Sequence, residues 1–149
     1  MYKPWIVAAA AMVVCFTLPA RAQQTIGSAT AVKPDARGSV AGQLSANSGV
    51  HANETVTTGG GGQANLQFLD NTKLSVGPTS SVRLDKFVYD PNKRKGSVVV
   101  NATRGAYRFA TGVQDSKSYE IKTPYATLGV RGTVLEIVVI RAGRTKRLR

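Results

Sequence analysis

Leu66-Gln67-Phe68-Leu69-Asp70-Asn71-Thr72-Lys73-Leu74-Ser75-Val76-Gly77-Pro78-Thr79-Ser80-Ser81-Val82-Arg83-Leu84 is the stretch that decides the fold. Apolar and polar residues alternate, the period of a strand with one buried face. Leu66 and Phe68 point one way, and Asp70-Asn71 supplies a turn. Leu74 and Val76 follow, Gly77-Pro78-Thr79-Ser80 turns the chain again, and Val82 and Leu84 resume the pattern. The inward pairs recur every eight residues, at 66, 74, 82 and at 68, 76, 84. Such spacing fits an antiparallel meander and equally a coil of a β-solenoid, and three units do not separate the two.

Working outward, Phe87, Val88 and Tyr89 prolong the third strand, Asp90-Pro91-Asn92-Lys93 is a polar turn, and Lys93-Arg94-Lys95 is a charged loop tip. Further strands are expected at 97–101, 106–109, 119–122, 126–130 and 133–140. Upstream, Thr55 to Thr58 are β-formers, and Gly59 to Gly62 make a four-glycine turn. Residues 23–53 are rich in Ala, Ser and Gly with isolated apolar positions such as Ile26, Val32, Val40 and Leu44, which predicts edge strands and little core. No helical periodicity follows residue 22. The expectation is an all-β fold, with short antiparallel strands in a β-sandwich or a β-solenoid-like stack.

The start of the chain reads differently. Lys3 precedes an apolar run of 13 residues at 6–18, and Pro19 leads into Ala20-Arg21-Ala22, an A-x-A site followed by Gln23. This is the layout of a cleavable Sec-type signal peptide over 1–22, helical in its apolar part and cut after Ala22. The run falls short of the roughly 20 residues that cross a bilayer as a helix. Cys15, the one cysteine, lies within it, so the mature chain of 127 residues would carry no disulfide framework, thiol nucleophile or zinc–cysteine site. Of 20 basic residues, Lys3 and Arg21 leave with the signal; the other 18 against 8 acids give +10. Arg141, Arg144, Lys146, Arg147 and Arg149 form a basic tail at 141–149 and account for half of that excess.

Several pieces, in one order, resemble the FecR domain, a periplasmic all-β module named after the ferric-citrate regulator. Glu54-Thr55-Val56-Thr57-Thr58-Gly59 resembles its G-D-x-I-x-T-G opening, with Asn53-Glu54 in place of Gly-Asp. Leu66 to Leu74 resembles its L-x-F-x-D-G-S-x-L hairpin, with Asn71 where Gly is usual. Gly77-Pro78-Thr79-Ser80 with Val82 and Leu84 resembles the next turn and strand. Arg104-Gly105-Ala106-Tyr107-Arg108-Phe109 resembles its R-G-A-x-R-F step, and Thr123-Pro124-Tyr125-Ala126-Thr127-Leu128-Gly129-Val130-Arg131-Gly132-Thr133 completes the set. The resemblance covers 54–140 and implies a non-catalytic sensing or recognition module with no cofactor. FecR regulators also carry a cytoplasmic anti-sigma segment, a membrane helix and later strands. This sequence is therefore expected to be a secreted, stand-alone and C-terminally truncated form.

The resemblance assigns Asp70, Gly105, Thr123, Pro124, Gly129, Val130, Arg131, Gly132 and Thr133 to the architecture of the module. Arg131, between glycines, offers itself as a carboxylate grip, and its competing role is a lock on the bend through Asp70, Asp85 or Glu136. His51 lacks partners for a metal site or a triad and reads as a surface residue. Asp70-Asn71 and Asp90-Pro91-Asn92 hold too few carboxylates for a calcium loop and read as turns. The aromatic set Phe87, Tyr89, Tyr107, Phe109, Tyr119 and Tyr125 is assigned to core and cross-strand packing rather than to a binding face. The expected function is protein recognition in the periplasm, by strand addition at 133–140, with an envelope protein as partner and no specific nucleic acid. The rivals are a cationic envelope-glycan or polyanion binder, a hydrolase, and a gene remnant.

Overall fold

A computed structural model describes residues 23–93, 95–130 and 134–140. The expected signal helix, Arg131, Gly132, Thr133 and the basic tail lie outside the described residues. Twelve strands follow in order: β1 (Thr25–Lys33), β2 (Ala36–Gly38), β3 (Gly42–Gln43), β4 (Gly49–His51), β5 (Thr55–Thr58), β6 (Gln63–Phe68), β7 (Lys73–Val76), β8 (Ser81–Asp90), β9 (Lys95–Ala110), β10 (Tyr119–Lys122), β11 (Thr127–Gly129) and β12 (Val134–Val139). The described chain is all-β, apart from one 3-10 turn at Ser116–Ser118.

The strands make one curled sheet in the order β3-β2-β5-β8-β9-β7-β6-β1-β4, with β10, β11 and β12 attached beside β9. The alternation at 66–84 holds residue by residue: Leu66, Phe68, Leu74, Val76, Val82 and Leu84 are all buried. Leu66 faces Leu74 across the β6–β7 hairpin, so the first step of the eight-residue repeat is a meander. The second is not. After Val76 the chain turns through 77–80, and β8 pairs with β5 and β9 rather than with β7.

β9 explains this. It is one strand of 16 residues where two short ones were expected. Its first part pairs with β8 from Lys95 to Arg104, and its last part pairs with β7 from Tyr107 to Ala110. Gly105 lies between them at φ +109°, a conformation closed to ordinary side chains, and a Cβ there would overlap Ser80. The sheet bends at this glycine, and its two halves close on one core. Phe68 of β6 meets Phe87 of β8, and Phe109 of β9 meets Tyr119 of β10, each with ring centroids 5.7 Å apart.

The pairing is antiparallel with one exception. β10 runs parallel to β9, Tyr119 beside Val98 through Lys122 beside Asn101. A parallel return usually needs a dozen or more residues. Here residues 111–118 suffice, because the bend has already swung the end of β9 around.

Residues 23–53 contribute more than the expected edge strands. β3 and β4 are edges, but β1 has β4 on one side and β6 on the other. Ile26, Ala29, Ala36, Leu44 and Val50 are buried. Ala29 and Ala36 are small and Gly27 lies close against the backbone of β6, which is why a hydropathy reading undervalued the segment. Burying a larger side chain such as Ile26 or Leu44 stabilises the fold by about 1.5–3 kcal/mol.

Candidate functional site at the sheet corner

Two buried carboxylates hold loops of the domain in place. Asp70 is fully buried in the β6–β7 turn, where Asn71 takes φ +65°. Asparagine tolerates that left-handed conformation, so the departure from the family's glycine preserves the turn. Asp70 Oδ1 accepts from the Thr72 N–H (3.0 Å), and Oδ2 accepts from Thr72 Oγ1 (2.7 Å), Gln114 Nε2 (2.9 Å) and the Tyr119 hydroxyl (3.0 Å). That hydroxyl in turn accepts from the N–H groups of Gly112 (3.0 Å) and Gln114 (3.3 Å), and the Asp70 carbonyl accepts from Val113. The knot therefore pins the crossover at 111–118 and sets where β10 runs. Burial pushes the Tyr119 phenol above its ordinary 10.0, and the neighbouring Asp70 charge adds to this.

Glu54 does the same for the other end of the domain. It is fully buried and accepts from the N–H groups of Val40 (3.2 Å), Ala41 (2.8 Å) and His51 (2.8 Å). His51 is not the simple surface residue expected from its polar loop. It is half-buried, and its Nδ1 lies 3.2 Å from Glu54 Oε2. Asn53, where the family has glycine, again takes a left-handed φ, +59°.

The corner itself gathers two of the motif segments. Thr123 Oγ1 accepts from the N–H groups of Tyr125 (3.3 Å) and Ala126 (3.0 Å), and the Thr123 N–H reaches the Ala126 carbonyl (2.8 Å). This tight turn holds Pro124 and Tyr125 out beside Ser81, Thr103 and Arg104, around a shallow cleft of about 420 Å³. The Tyr107 hydroxyl braces the floor, accepting from the Ser81 N–H (3.0 Å) and meeting the carbonyls of Ser81 and Arg104. Tyr125 is 68% exposed, and its hydroxyl reaches the Ile140 carbonyl beyond β12 (3.4 Å). Phe87, Tyr107, Phe109 and Tyr119 pack in the core, whereas Tyr125 does not.

Among the motif residues, Pro124 lines the corner cleft and Thr123 holds its turn, Gly105 sits at the bend of β9, Asp70 pins the crossover, and Val130 is buried in the core. Gly129 ends β11 with open space around it. A lock through Arg131 falls outside the described residues. The acids proposed for that lock have other contacts: Asp70 in its knot, Asp85 with Arg83, and Glu136 with Arg108 at 3.9 Å.

The remaining feature is an edge. β12 pairs with β9 in unbroken register from Val134–Ala110 to Val139–Gly105. Among the described residues no strand lies on its other side. A groove of about 410 Å³ crosses the face of the sheet on the other flank of β12, with Arg108 of β9 between Ser75 of β7 and Glu136 of β12. Among the described residues, no three of His, Cys, Asp and Glu gather where a metal ion would fit.

The site thus belongs to an all-β domain whose buried acids hold loops, and whose outward features are a corner cleft and a strand edge. The chain is a member of the FecR family: the family described as FecR protein matches residues 54–147. No curated protein and no solved structure matches it. FecR is a family of regulatory and signalling proteins associated with the bacterial envelope.

Proposed function

We propose that this protein is a non-catalytic recognition module of the bacterial envelope, exported through its signal peptide, released after Ala22 into the periplasm, and binding a protein partner along β12 and the adjoining corner. Family membership supports the sensing role. The observation that carries the mode of binding is the edge of β12, which no strand covers among the described residues, next to exposed Tyr125, Val138 and Ile140. A partner strand laid on that edge completes the ladder through backbone hydrogen bonds, while side chains at the corner select it.

Two measurements test this. Fractionation followed by N-terminal sequencing should find the protein outside the cytoplasm, beginning at Gln23. Capture from envelope extract, with and without residues 141–149, should recover one protein with both forms. Recovery that needs the tail and collapses as salt rises would instead support binding of a polyanion or envelope glycan by the five tail cations.

A further inference from the structure

Sheet edges in soluble proteins are usually blunted by shortness, bulges, prolines or lysines, because a bare edge templates pairing with another chain. Three of the edges here are blunted. β3 has two residues, β4 has three beside a register shift, and β11 has three after the Pro124 turn. β12 has six residues without proline, glycine or lysine. Leu135, Ile137 and Val139 line its inward side. Val134, Glu136, Val138 and then Ile140 line the outward side, where the three apolar residues are 49%, 67% and 73% exposed.

We propose that β12 pairs with β12 of a second copy, antiparallel, about a two-fold axis at Ile137. The inference rests on the reading of β12 as the recognition edge, and it names the occupant. Facing residues in an antiparallel pair share a side of the sheet, so only alternate registers keep inward with inward. Centred at Ile137, Leu135 faces Val139 inside, while Val134 faces Ile140 and Glu136 faces Val138 outside. Centred at Glu136, two carboxylates oppose each other. Centred at Val138, Val134 and Leu135 are left without a facing residue among those described. The Ile137 register alone of these three avoids both. A two-fold contact of this kind closes on itself as a dimer.

Sedimentation equilibrium on the purified mature protein, residues 23–149, tests the pairing. The expected result is a dimer that tightens between about 0.05 and 0.5 M salt, as screening relieves the repulsion of two basic chains. V138E places each new carboxylate opposite the other copy's Glu136 and should weaken association about ten-fold. Adding E136K should restore it, since 136 and 138 then face each other with opposite charge. Both positions are exposed, and far-ultraviolet dichroism should show both variants folded. A monomer at concentrations up to about 1 mM overturns the proposal, as does a dimer indifferent to V138E. Loss without rescue by E136K overturns the Ile137 register. A monomer whose capture of an envelope protein is sensitive to V138E overturns the second copy and leaves the recognition edge standing.

Discussion

The knot around Asp70 and the edge at β12 handle polar groups in opposite ways. In the knot a carboxylate, a hydroxyl, a phenol, an amide and several backbone groups are buried together and almost fully paired. Gln114 Oε1 is its one buried side-chain atom without a partner. Along β12 one row of backbone groups has no ladder partner among the described residues, and apolar side chains stand in solvent beside it. Buried polar groups must be satisfied within the chain, because each one left unpaired costs about 1–3 kcal/mol. Exposed groups carry no such demand. The difference separates what holds this domain together from what it offers to others.

The largest expected effect is at the knot. Asp70→Ala removes the acceptor for Thr72, Gln114 and Tyr119 at once, and should lower unfolding free energy by about 3 kcal/mol or more in a urea titration. Asp70→Asn keeps the shape and one acceptor and should cost roughly half as much. A change below about 0.5 kcal/mol for Asp70→Ala would mean that the crossover holds without the knot. Next comes the corner. Gly105→Ala combines a positive φ with overlap on Ser80 and should cost about 2–3 kcal/mol. Equal stability would remove Gly105 as the hinge between the halves.

These positions also show what the sequence discloses. Alternation at 66–84 exposed the all-β class because a half-buried strand must repeat with period two. The knot was half-legible. Asp70 stood in a recognisable turn, but its partners Gln114 and Tyr119 lie 44 and 49 residues away, and no local pattern announces them. Glu54 is similar: its acceptors serve backbone N–H groups, which every residue carries, so nothing in the sequence marks the donors. The length of β9 was hidden by Gly105, since an isolated glycine reads as a break when it is in fact a bend within one strand. The role of residues 23–53 was missed because alanines and a glycine at close strand approaches carry little hydropathy. The strand at Val134–Val139 was legible, because its apolar pattern needs no distant partner to be read.

A pH titration tests the knot again. Burial raises the phenol of Tyr119, and likewise that of Tyr107, above the ordinary 10.0. The folded state therefore keeps these protons after the unfolded chain has begun to lose them. The stabilisation is fully present below pH 10 and is lost as pH rises through the folded values. Stability should fall above about pH 10, and Tyr119→Phe should flatten that fall while lowering stability at neutral pH. An unchanged alkaline limb in Tyr119→Phe would place the loss elsewhere.

The smallest expected effect on stability is at the edge, and it cuts the comparison most finely. Val138→Glu adds a charge at an exposed position whose strand neighbour is Ala106, and should move unfolding free energy by no more than about 0.5 kcal/mol. Tyr125→Ala, at the corner, should behave in the same way. Both should impair recognition of a partner. Asp70→Asn, studied well below its unfolding midpoint, should do the reverse, with lower stability and undiminished binding per folded molecule. Equilibrium unfolding and partner capture on the three variants would show whether the two properties separate. If Val138→Glu lost stability in step with binding, β12 would be part of the frame and not a surface held out from it. If Asp70→Asn lost binding while folded, the crossover it pins would itself form part of the recognition surface.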